Sequence, residues 1–211
     1  MKTSIKSIFA IAITTVLLST TGIAAKASAH NNSYTNLNTV KNISKIKISG
    51  NVKLILVQDA KESIQVYDNY YAKNALVQQQ NGELRISSFN KEPLTVIAHV
   101  NNISSIEAAN TSSVKTAGNF NLLNLEVVLN DQSSADIQAN TVSLNTSLNG
   151  TSNLNISGST ENYKAVLASS AKVGMNDFTA TDSQVSVKAI AANLAQVKPD
   201  EITIEQLDLI I

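Results

Sequence analysis

The chain has 211 residues, 43% of them hydrophobic and only 4% aromatic, with 16 basic and 16 acidic side chains and no cysteine. Disulfides, thiolate metal sites and a lipid-modified N-terminal cysteine are therefore excluded. A chain without basic runs is also poorly suited to nucleic acid, whose binding depends on neutralising phosphates, so no nucleic-acid partner is expected.

Residues 1–29 read as a secretory signal peptide. Lys2 and Lys6 form the positive region, residues 8–18 the apolar stretch, and Ala27-Ser28-Ala29 the small-x-small cleavage site. The apolar stretch is too short for a membrane span of about 20 residues. Cleavage before His30 also removes Lys26 but no acid, so the remaining chain is mildly acidic. The expected product is exported to the periplasm, cell surface or medium, with no membrane span after cleavage.

Residues 30–40 are rich in Asn and weakly patterned, and are expected to be a disordered leader. From residue 41 a single domain is expected to run to residue 211: N-terminal strands at 41–104, repeat coils at 105–198 and a C-terminal cap at 199–211. Ile43-Ser44-Lys45-Ile46-Lys47-Ile48 alternates, Gly50-Asn51 breaks the pattern, and Val52-Lys53-Leu54-Ile55-Leu56-Val57 resumes it, which predicts two strands around a turn. Ser63-Ile64-Gln65-Val66-Tyr67 is a further strand. Residues 70–80 fit either a short helix or an extended connection. Asn81-Gly82 signals a tight turn into the strand Glu83-Leu84-Arg85-Ile86-Ser87.

Beyond residue 105 a hydroxyl-rich turn recurs between runs of alternating apolar residues. Its copies contain Thr111-Ser112-Ser113-Val114, Ser133-Ser134-Ala135-Asp136-Ile137, Thr151-Ser152-Asn153-Leu154, Ser169-Ser170-Ala171-Lys172-Val173 and Ala191-Ala192-Asn193-Leu194. With Ser112, Ser134, Ser152, Ser170 and Ala192 as one column, the steps are uneven but stay close to about 20 residues, the size of one coil of a β-solenoid. One coil cannot cover the apolar face of its own strands, whereas stacked coils bury it as continuous columns. The expected fold is all-β, a β-helix-like solenoid with a right-handed crossover and an N-terminal strand and hairpin lobe. Thr111, Ser133, Thr151 and Ser169 would stack their hydroxyls at one corner, either as a structural ladder bonded to turn backbone or as a surface-contact ridge for sugar.

These segments carry a resemblance. The order Ile46-Lys47-Ile48-Ser49-Gly50-Asn51-Val52-Lys53-Leu54, then Asn81-Gly82-Glu83-Leu84-Arg85-Ile86, then Val100-Asn101-Asn102-Ile103-Ser104-Ser105-Ile106-Glu107-Ala108 and serine-rich turns resembles the family called putative auto-transporter adhesin, head GIN domain. That family is a domain of unknown function common in exported proteins of the Bacteroidota. The resemblance implies a β-helix-like fold outside the cytoplasm and an adhesive or envelope-surface role, with no catalytic residues to carry over. The chain departs from the family in its turns, where Ala135, Asn153 and Ala171 stand in place of expected glycines, and in its ending. There Glu201, Glu205 and Asp208 either keep a last edge from pairing promiscuously or border an apolar tail that docks a partner.

Chemistry is sparse. His30 and His99 are the only histidines, which argues against histidine dyads and histidine-rich metal sites, and His99 is expected to be a half-buried strand residue. No cofactor, metal or catalytic residue is assigned. Asp131 with Asp136, and Asp177 with Asp182, flank turns and are the acids on which an alternative, a polysaccharide-active enzyme, would depend. Arg85 is the only arginine and tryptophan is absent. Tyr67, Tyr70 and Tyr71 form the one aromatic group, either a lid over the end of the stack or a contact patch. The expected function is a non-enzymatic binding or structural module presenting a Ser, Thr and Asn face to an envelope or extracellular partner, glycan or protein. Its open ends leave self-association possible.

Overall fold

The computed structural model describes residues 34–37, 39–67 and 75–188. Their regular structure is entirely β, 14 strands joined in one sheet. Strand β1 (Tyr34–Leu37) is followed by β2 (Lys45–Gly50), β3 (Val52–Gln58) and β4 (Ser63–Tyr67). Then come β5 (Ala75–Gln80), β6 (Glu83–Ser88) and β7 (Leu94–Val100). Alternation decides which side chains are buried: Ile46 and Ile48 of β2 and Val52, Leu54 and Leu56 of β3 face the interior, while Lys45, Lys47 and Lys53 face water.

The first two of these long strands do not form the expected hairpin. β2 lies parallel to β6, and β3 lies parallel to β7, with Ile46 opposite Leu84 and Leu54 opposite Val96. The corner at Gly50 and Asn51 carries the chain from one wall to the next instead of folding it back. Gly50 has φ 82°, and a Cβ there would lie 2.1 Å from the Ser88 carbonyl oxygen, so the corner requires glycine. Local alternation is identical in a hairpin and in a pair of parallel rungs. Long-range burial chooses between them, and the N-terminal strands belong to the same stack as the repeats.

That stack continues through β8 (Ser105–Ala109), β9 (Ser113–Ala117), β10 (Phe120–Leu129), β11 (Ser134–Leu148), β12 (Asn153–Ala168), β13 (Lys172–Gly174) and β14 (Phe178–Lys188). Every pairing among these strands is parallel. Ser105 pairs with Glu126 and Ser113 with Ser134. The next circuits are slightly shorter, pairing Glu126 with Asn145, Asn153 with Lys172, and Lys164 with Gln184. Like positions therefore sit on one another. Ile46, Ile106, Val127, Thr146 and Ala165 form one buried column, and Leu54, Val114, Ala135 and Leu154 form another on a second wall. Removing an aliphatic side chain of this size from water contributes about 1.5–3 kcal/mol.

The rungs are not stacked in chain order. β2 and β3 lie between the rung of β6 and β7 and the rung of β8 and β9. Beyond β6 and β7 the direction reverses: β5 pairs antiparallel with β6 through the Asn81-Gly82 turn, β4 with β7, and β1 with β4. Ala75–Gln80 is thus a strand, which resolves the choice left open for residues 70–80 over that part. Within the expected disordered leader, Tyr34–Leu37 is also a strand. It adds to the free edge of β4, with Tyr34 opposite Tyr67 at a ring-centroid distance of 5.2 Å. At the other end, β14 pairs only with β12 among the described residues, and Val185 and Val187 are exposed. The expected signal peptide, the turn at Ala191-Ala192-Asn193-Leu194 and the cap at 199–211 lie outside the described residues. No described helix is long and apolar enough to cross a membrane.

Candidate binding surface

The hydroxyl-rich turns form a corner of the stack, but in a different register from the one predicted. Continuing the strand pairings into the turns sets Ser133 opposite Ser112 and Gln132 opposite Thr111; one circuit further, Ser152 stands opposite Ser133, and Ser170, not Ser169, opposite Thr151. The ladder Thr111, Ser133, Thr151 and Ser169 is therefore split among three columns, with Ser169 falling opposite Gly150. Thr111 and Thr151 are exposed, whereas Ser133 is fully buried with Ser112 and Ser152. The uneven turn spacing arises because adjacent serines are alike in sequence, while one residue's slip reverses which side is buried.

The exposed and buried columns differ in their bonding. Thr111 Oγ1 donates to Gly50 O and Thr151 Oγ1 to Asp131 O, both at 3.3 Å, so each threonine closes onto the rung behind it. In the buried column, Ser112 Oγ donates to Ala109 O at 2.7 Å and Ser133 Oγ to Ala108 O at 3.1 Å. Among the described residues, Ser152 Oγ has no hydrogen-bond partner. The left-handed residues of this corner are Gly50, Asn110, Asp131 and Gly150, with φ of 82°, 61°, 61° and 67°. Glycine was thus expected at the wrong positions: Ala135 is a core residue of β11, and Asn153 opens β12. Side chains of the left-handed column bond along the stack. Asn110 Oδ1 accepts from Gly50 N at 3.2 Å, and Asp131 Oδ2 accepts from Asn110 N at 2.9 Å.

Outer asparagines extend the same pattern. Asn140 Nδ2 donates to Asn121 Oδ1 at 3.2 Å, Ser159 Oγ to Asn140 Oδ1 at 3.0 Å, and Asn149 Nδ2 to Asn130 Oδ1 at 2.9 Å. Composition alone suggested an Asn-rich surface; which asparagines align became visible only with the register.

The other candidates separate. Tyr67 packs against Tyr34 and donates through its hydroxyl to Gln65 Oε1 at 2.9 Å; Tyr70 and Tyr71 lie outside the described residues. Among the acids, Asp131 is held by the Asn110 amide, Asp136 pairs with Lys115 Nζ at 3.1 Å, and Asp177 has φ 59° and accepts from Gly158 N through its carbonyl. Asp182 is exposed in β14. His99 lies in β7 with Nδ1 3.3 Å from Asp59 Oδ2. The Asp59 carboxyl is held below its usual range, first by the Lys61 N–H that it accepts and further by His99, against partial desolvation. Among the described residues, no three His, Asp or Glu side chains cluster as a metal site would require.

Parallel strand pairing, a buried apolar core and a corner of left-handed Asn, Asp and Gly residues define an all-β protein. Residues 42–202 match the family described as putative auto-transporter adhesin, head GIN domain, and the chain belongs to that family. No curated protein matches the chain. Its fold is similar to that of a solved structure described as a putative adhesin from Bacteroides fragilis, with 12% identity, TM-score 0.64, and 77% of this chain and 78% of that chain covered. A putative adhesin from Parabacteroides merdae gives 12% identity and TM-score 0.57 over 74% and 77% of the two chains. A protein described as a putative lipid binding protein from Parabacteroides distasonis gives 11% identity and TM-score 0.57 over 74% and 78%. At these identities the likeness is one of fold.

Proposed function

We propose that the protein is a non-enzymatic, adhesin-type module, exported by the leader at residues 1–29 and acting at the cell envelope or outside the cell. In this reading the stacked rungs are a β-solenoid, right-handed by the crossover rule, and the single domain begins near residue 41. It presents its Ser, Thr and Asn columns to an envelope or extracellular partner through many weak hydrogen bonds. The observation that carries the proposal is the alignment itself: Thr111 with Gln132, Thr151 with Ser170, and Asn121 with Asn140, on a backbone held by buried columns. Like groups recur at about 4.8 Å along such a stack, so a repetitive partner would meet a repetitive surface already ordered before binding.

The module reading is tested by binding of the purified protein to an array of glycans and envelope components, with reducing-end release assayed on the same polysaccharides. Binding without product is expected. Product formation that is lost in Asp131→Asn or Asp136→Asn would replace the module with an enzyme.

A further inference from the structure

Three loops meet at one end of the stack, around a cavity of about 540 Å³. They are the segments entering β2, joining β3 to β4, and joining β7 to β8. Glu62, from the second loop, ties the other two: its carboxylate accepts from Ile43 N at 3.1 and 3.3 Å and from Asn101 N at 3.5 Å. One side chain thus holds all three walls in place, so the cavity is formed before any ligand arrives. Its volume falls in the range that accommodates small ligands.

The polar groups around it are exposed and open to a ligand. Along the outer columns, asparagines bond to one another; here Lys41, Lys61, Asn101 and Asn102 line the cavity, and their side-chain nitrogens have no acceptor among the described residues. The lining carries two lysines and one carboxylate, Glu62, and that carboxylate is engaged by backbone N–H groups. The balance favours a singly charged anion. The two asparagines offer both donors and acceptors, a combination suited to the hydroxyls of a sugar.

We propose that this cavity binds an acidic saccharide, with the sugar carboxylate between Lys41 and Lys61 and its hydroxyls on Asn101 and Asn102. The site is separate from the polar outer columns and stands or falls independently of them.

The test is calorimetric titration of the protein, expressed from its full-length chain, with an oligoglucuronate and with its carboxyl-reduced, neutral counterpart. The acidic form should bind at least about tenfold more tightly than the neutral one, since a charged group loses its partner in the latter. Lys41→Ala combined with Lys61→Ala should weaken binding by a similar factor without lowering the melting temperature. Lys45→Ala combined with Lys53→Ala removes the same charge from exposed strand positions and should leave binding unchanged. No binding of oligoglucuronate, equal binding of both forms, or equal loss in both double variants would overturn the site. Failure here leaves array binding through the outer columns intact, so the two readings fail separately.

Discussion

Ser133 and Ser152 occupy equivalent buried positions, yet among the described residues only Ser133 donates a hydrogen bond, to Ala108 O. Ser133→Ala should therefore destabilise the fold by about 1 kcal/mol. Ser152→Ala, which removes an unpartnered hydroxyl, should cost less than half as much or be stabilising. Urea melts of the two variants check the difference; equal losses would contradict the assignment of partners. Gly150 and Gly118 provide a second paired comparison. Both have positive φ, but a Cβ at Gly150 would lie 2.6 Å from Asp131 O, whereas nothing lies within 4 Å at Gly118. Gly118→Ala should cost about 1 kcal/mol for backbone strain alone, and Gly150→Ala distinctly more. At this scale the sequence showed that serines and threonines recur, but not which of two neighbours faces inward. The side chain's environment depends on a register set by residues a full circuit away in the chain.

At the scale of elements, most strands were legible because alternation survives in Ile46 with Ile48, Leu84 with Ile86, and Ile137 with its flanking polar residues. Their partners were not legible. β2 and β3 read as a hairpin because nothing local distinguishes a turn back from a corner, and β1 was passed over because Tyr34–Leu37 is short and finds its apolar partners, Tyr67 and Ile64, only in β4. Tyr34→Ala should therefore speed amide exchange in β1 and β4 while leaving β11 and β12 unchanged. Between β11, β12 and β14, Tyr163 packs edge-on against Phe178 at 5.2 Å, and its hydroxyl lies 3.2 Å from Thr146 Oγ1. Burial raises the Tyr163 pKa above the ordinary value, outweighing the Thr146 hydrogen bond. The unfolded chain then loses this proton first, so stability should fall as pH rises through about 10 and continue to fall until the folded group titrates. Tyr163→Phe should lower stability at neutral pH by about 1 kcal/mol and flatten the decline above pH 10. Melting temperatures of both proteins between pH 8 and 11 provide the check; parallel curves would contradict it.

For the whole molecule, the all-β class was readable from the alternation of apolar residues, and the family followed from the order of segments. The candidate surface was readable only as a composition rich in Ser, Thr and Asn. Its division into a buried serine column and an exposed column of Thr111, Gln132, Thr151 and Ser170 emerges from pairing. Bonding and exposure also pull apart here: Asn110 and Asp131 commit side-chain oxygens to backbone amides of neighbouring rungs, and under the proposed function contact with a partner falls to the exposed column beside them.

The most direct measurement compares array binding by the unaltered protein with binding by a variant carrying Thr111→Lys, Gln132→Lys, Thr151→Lys and Ser170→Lys. The predicted result is loss of the bound partner, with far-ultraviolet circular dichroism still showing β-structure and a cooperative melt retained. Undiminished binding by that folded variant would contradict the claim that the polar corner is the surface through which this protein acts.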